Sequence, residues 1–212
     1  MKTYAKLTLT LVVIWFVSAL SASALHLFRN DANRIGLSVA IAAFTPILVF
    51  ALWSAVSPSL RQFVLSLNPV LLTAAQTFRI IGFIFVLSEA RGILPAIFAL
   101  PAGYGDMTIG ITAAFVAWKL ATATHRNSFI LWQFLGITDL VLAVTLGVTA
   151  PLLVPDGPTM VPMTILPLSL IPTFFVPLFT IFHVICIAQA KSWNALPLRT
   201  ARAVESLQQS TI

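Results

Sequence analysis

The sequence predicts an all-α polytopic membrane bundle of about six spans, with both termini in the cytoplasm. Three observations carry that prediction. The 212 residues are 59% hydrophobic and 8% charged, with a mean hydropathy of +1.00, whereas about a quarter of a soluble domain is charged. Six apolar stretches approach the roughly 20 residues that an α-helix needs to cross hydrocarbon. Lys and Arg fall unevenly on the two sides of those stretches, which sets orientation. A chain of this length accommodates one membrane domain, residues 1–190, and a short basic cytoplasmic tail, 191–212. That tail is too short to bury a core of its own, so a separate soluble catalytic domain is excluded.

The spans are placed at Leu7–Leu25, Gly36–Val56, Val70–Ser88, Tyr104–Leu120, Ser128–Thr149 and Thr164–Ala190. Lipid cannot satisfy an exposed backbone, and no alternating strand pattern points to a barrel, so the spans are helices. The first is preceded by Lys2 and Lys6 and ends at Ala22-Ser23-Ala24. That pattern also fits a cleaved secretory signal, whose removal would leave the orientation of the remaining spans unchanged. On the N-terminal side lie Lys2, Lys6, Arg61, Lys119, Arg126, Lys191, Arg199 and Arg202; opposite them are Arg29, Arg34 and Arg91. This bias places both termini in the cytoplasm. It also accounts for the net charge of +6 through topology and anionic headgroups, and no nucleic-acid-binding pattern is present.

Between the second and third spans, Ser57-Pro58 through Asn68-Pro69 reads as a re-entrant or interfacial connector, with Asn68 and Pro69 as N-cap and first turn of the third. Gly92 through Gly103 is apolar, too short to cross, and bracketed by helix breakers, so it reads the same way. In the loop before the last span and in that span, Pro162, Pro167, Pro172 and Pro177 recur every five residues. Each removes a backbone donor, which predicts an interrupted outer half and regular helix from about Leu178 to Ala190. A broken helix at membrane depth is one reading; a Pro-rich loop leading into a short span is the other.

Ionisable groups in hydrocarbon are costly and mark candidate sites. Arg79 lies near the middle of the third span, flanked on its helical face by Gln76 and Gly82, and Asp139 lies halfway along the fifth. Their depths match, so they are expected to pair. Asp106 shares a face with Gly110, Ala113, Ala114 and Ala117, and Asp139 with Gly136, Ala143 and Gly147; such small residues point both acids into the bundle. With its span starting at Tyr104, Asp106 is expected near the outer surface. Gly-x-x-Asp occurs at Gly103 and again at Gly136, too short a pattern to establish a repeat. His183 is either a proton relay or a hydrogen-bonded bystander. Glu89 and Arg91 are expected to form an interfacial pair, and Asp31 and Asp156 to be solvated loop residues.

No cofactor or metal set is apparent. Cys186 is alone, and a b-type haem would need a second histidine facing His183, whereas His26 and His125 fall at other positions. Nucleotide-binding, zincin and hydrolase motifs are missing. An aspartyl membrane protease would need its two acids at one depth, which the expected position of Asp106 denies.

Gly92-Ile93-Leu94-Pro95, followed by Phe98-Ala99-Leu100-Pro101-Ala102-Gly103-Tyr104-Gly105-Asp106, resembles a pattern recurrent in small bacterial inner-membrane proteins without an assigned activity. The stretch Val176-Pro177-Leu178 to His183 is similar to it as well. The resemblance implies that these polar positions belong together, and it brings no reaction or ligand. The leading expectation is an inner-membrane protein, with the lipid bilayer as partner. It binds or moves a small solute or proton at Arg79, Asp139 and Asp106, with Gln76 and His183 in support. The alternative is an interaction or assembly protein whose buried charges are structural. A lipid-acting membrane enzyme comes third.

Overall fold

A computed structural model describes residues 2–29 and 36–193. Asp31, Arg34 and the tail carrying Arg199 and Arg202 lie outside the described residues. Seven helical elements follow in order: α1 (Lys2–Ala24), α2 (Leu37–Val56), α3 (Pro58–Leu65), α4 (Pro69–Ala90), α5 (Ala96–Phe115), α6 (Arg126–Leu153) and α7 (Ile171–Ser192). Among the described residues, α1, α2, α4, α6 and α7 are long and apolar enough to cross a membrane. The α5 helix has twenty residues, continued by a π-helical turn over Val116–Leu120. At 1.5 Å per residue its α-helical part alone covers about 30 Å. It is not among those five, because Gly103, Tyr104, Gly105, Asp106 and Thr108 lower the apolarity of its centre.

The start of α5 corrects the expected boundary. Gly92 sits at φ +67° in the turn before it, a conformation that costs glycine nothing. Pro95 then caps the helix, which begins at Ala96 rather than Tyr104. Phe98, Ala99, Ala102, Gly103, Asp106, Ile109, Gly110 and Ala113 form one continuous buried face. That phase runs unbroken through Pro101, which lies on the exposed side. The segment read as re-entrant is therefore a turn followed by the first two turns of α5. Asp106 stands about 15 Å along the helix, in its middle and not near its end.

The connector before α4 is also helical. Ser57 Oγ accepts from Leu60 N at 3.3 Å to start α3, whose Leu60, Phe63 and Val64 pack inward while Arg61 and Gln62 stay exposed. Gln189 of α7 closes the other end of α3, donating to the carbonyls of Val64, Leu65 and Leu67. Asn68 Oδ1 accepts from Val70 N at 2.9 Å, with Pro69 at the first helical position. The expected interruption of the last span appears as a 3-10 turn at Val161–Thr164 and a π turn at Ile171–Phe175, with regular helix from Val176. Glu89 and Arg91 form no ion pair with each other; instead Glu89 offers its carbonyl to Gly92 N at 2.7 Å, closing the turn after α4.

Helices α4, α5, α6 and α7 form the interior, and α7 is the most enclosed of the crossing-length helices. α1 and α2 are peripheral: Trp15 and Phe16 of α1 rest on Phe174, with ring centroids 4.8 and 5.0 Å apart. Ser23, within Ala22-Ser23-Ala24, is buried in the last turns of α1. α4 and α5 approach closely, and glycine makes that contact possible. A Cβ on Gly110 would lie 2.5 Å from Ile80 N, and one on Gly103 would lie 2.6 Å from Val86 Cγ2.

Candidate functional site

The site grows out of the middle of α4, which narrows to a 3-10 helix over Ala75–Gly82. With three residues per turn, side chains three apart stack in one column. Thr73, Gln76, Arg79, Gly82 and Phe85 are all buried, and the column faces α5, α6 and α7.

Arg79 is 2% exposed and spreads its donors over three helices. Nε donates to Asp106 Oδ1 on α5 at 2.7 Å, and Nη2 donates to Asp139 Oδ2 on α6. Nη1 donates to the Gly136 carbonyl of α6 at 3.3 Å and lies 3.3 Å from His183 Nε2 on α7. Glycines create the space for this convergence. A Cβ on Gly82 would overlap Asp106 Cβ, one on Gly105 the Asp139 carboxylate, and one on Gly136 the His183 ring. The residue three before Asp139 thus makes room for the histidine.

An arginine only donates, so its contact assigns the hydrogen on His183. Nε2 must accept from Arg79, which leaves the proton on Nδ1, and Nδ1 donates to Gln133 Oε1. Gln133 Nε2 donates onward to Thr73 Oγ1 at 3.1 Å. Thr73 Oγ1 lies 3.7 Å from Cys186 Sγ, and the thiol points to the Pro69 carbonyl at 3.9 Å. The chain therefore has one sense, away from Arg79, with His183 as a neutral imidazole.

Of the residues expected from the sequence, Arg79, Asp106, Asp139 and His183 meet directly. Gln76 does not: its Nε2 donates to the Phe179 carbonyl at 3.2 Å, and its Oε1 has no partner among the described residues. Gln133 and Thr73 were missed. The one signal for Gln133 was an amide inside an apolar span, three residues before Gly136. Among the described residues, no group of three or more His, Cys, Asp or Glu is disposed to hold a metal ion.

Each acid has one oxygen on Arg79, while Asp106 Oδ2 and Asp139 Oδ1 carry no hydrogen bond among the described residues. Asp139 Oδ1 faces the Gly105 backbone. Asp106 instead forms part of the wall of a cavity of about 60 Å³ that extends toward Met160, Met163 and Pro172. It is the only charged residue of that wall among the described residues.

Apolar helices of crossing length, closed around a buried arginine and two carboxylates, define an integral membrane protein with a polar centre. Residues 35–190, from the start of α2 to near the end of α7, match the family model of a domain of unknown function, DUF8737, and the chain belongs to that family. No curated protein and no solved structure matches it.

Proposed function

We propose that this protein binds or moves a small solute or a proton at the Arg79–Asp106–Asp139 centre. In this reading it is a six-span protein of the bacterial inner membrane, with α5 as the sixth span and both termini cytoplasmic. One observation supports it above the rest: a single guanidinium holds carboxylates from two other helices at mid-helix, and one of those acids borders a cavity. Charges placed so deep generally mark pathways. The geometry is also compatible with a staple that fixes three helices in register, which is the assembly reading.

A thermal-stability screen of the detergent-solubilised protein against ions, metabolites and lipids separates the two. A ligand of the folded state stabilises it by about 2.7 kcal/mol at a hundred times its dissociation constant. The solute reading expects stabilisation of wild type that disappears in Asp139→Asn, with the variant still inserted and folded. No stabilising compound, together with loss of folded protein in Asp139→Asn, would favour assembly.

A further inference from the structure

Building on the reading above, we infer that the ligand of this centre is a proton, carried on Asp106 Oδ2 and exchanged through the adjoining cavity. The argument begins with charge. Arg79 contributes +1, Asp106 and Asp139 contribute −2, and His183 is neutral because Arg79 donates to its Nε2. One negative charge remains in a region where unpaired charge is costly. It is closed by one positive charge, and the geometry selects which.

A hard metal cation needs about six or more oxygen ligands. Beside Asp106, the cavity wall among the described residues offers Thr164, whose hydroxyl donates to the Val161 carbonyl at 2.7 Å, and otherwise apolar side chains such as Phe85, Val144 and Met163. A proton needs a single oxygen. The wall also favours the smaller ligand, since Asp106 and Thr164 are its polar side chains among the described residues and a solute with several polar groups would find few partners there. Asp106 is the carrier rather than Asp139, because Asp106 stands on the cavity wall and Asp139 does not.

The transfer balances simply. A hydronium that reaches Asp106 gives up its proton to a lone pair of Oδ2 and leaves water; no electron moves. The charged or titratable groups facing Asp106 are Arg79 from α4, Asp139 from α6 and His183 from α7, and α2 adds Val39 to the cavity wall. On the far side, the chain through His183, Gln133, Thr73 and Cys186 is no proton wire. An amide in its middle, bonded at both ends, holds its protons in one sense. That chain therefore does not carry protons onward from the centre.

Infrared difference spectroscopy of the purified protein, titrated between about pH 5 and 8, reads the carrier directly. The expected result is one carboxylic-acid carbonyl band that appears on acidification. It changes frequency in Asp106→Glu, stays in place in Asp139→Glu, and is lost in Asp106→Asn. The last variant leaves one neutral Arg79–Asp139 pair, so folding is retained. A band that moves in Asp139→Glu alone, a band that survives Asp106→Asn, or no titrating carboxyl overturns the inference. Failure here is distinct from failure of the broader reading: a solute that stabilises wild type and not Asp139→Asn preserves that reading without a titrating carboxyl.

Discussion

Replacing Arg79 by Gln probes the charge arrangement at its centre. In the native site one guanidinium answers two carboxylates, whose side chains are 12% and 13% exposed. Arg79→Gln leaves both acids buried without a cation. Breaking a buried ion pair from one side costs about 3–5 kcal/mol. For a chain of this size each kcal/mol moves the melting midpoint by roughly 2–4 °C, so the expected drop is about 6–20 °C. Asp139→Asn acts differently, because the remaining Arg79–Asp106 pair is neutral and the variant forfeits about 1 kcal/mol of hydrogen bonding. The double variant keeps a single carboxylate and should melt above Arg79→Gln alone, giving a coupling energy of about 0.5–3 kcal/mol. Melting curves of the four proteins in one detergent, followed by tryptophan fluorescence, complete the cycle. If Arg79→Gln melts within about 2 °C of wild type, or Asp139→Asn is as damaging, Arg79 is not neutralising the two acids and the reasoning fails.

Gly105→Ala drives a methyl group into the Asp139 carboxylate and should cost about 1–3 kcal/mol, read as a lower melting point. Combining it with Asp139→Ala, which removes the clash, should recover most of that loss. Gln133→Leu strands His183 Nδ1–H and leaves Thr73 without its donor; a loss of about 1–3 kcal/mol is expected, and an unchanged melting point would show that the relay holds nothing in place. Asn68→Ala removes the cap of α4 and should lower stability by about 1 kcal/mol, with Asn68→Ser retaining most of it.

Arg79 and Asp139 were legible because a charge in an apolar run advertises itself, and counting along each span placed both near the middle. Asp106 was legible as an inward-facing residue and misjudged in depth. Pro101 reads as a breaker in the sequence, whereas it occupies the exposed side of α5 and the buried phase passes it undisturbed. The 3-10 segment of α4 was hidden for a different reason. Gln76, Arg79 and Gly82 fall close together on either helix type, so their spacing does not distinguish the two. Gln133 and Thr73 escaped notice because their role depends on which helices are neighbours, and periodicity assigns a face but no partner. α3 is short, and its inward residues Leu60, Phe63 and Val64 gain meaning only against neighbours on α1, α2 and α7.

The length of α6 carries one further consequence. Its 28 residues extend about 42 Å at 1.5 Å per residue, against roughly 30 Å of hydrocarbon. An isolated helix of that length adapts to bilayers of different thickness by sliding along its axis or by leaning. Sliding is denied to α6, because Asp139 and the Gly136 carbonyl are latched to Arg79 on a neighbouring helix. Leaning remains, and α4 and α5 must lean with it. Any change in the tilt of α6 is thus shared by the helices that meet at Arg79.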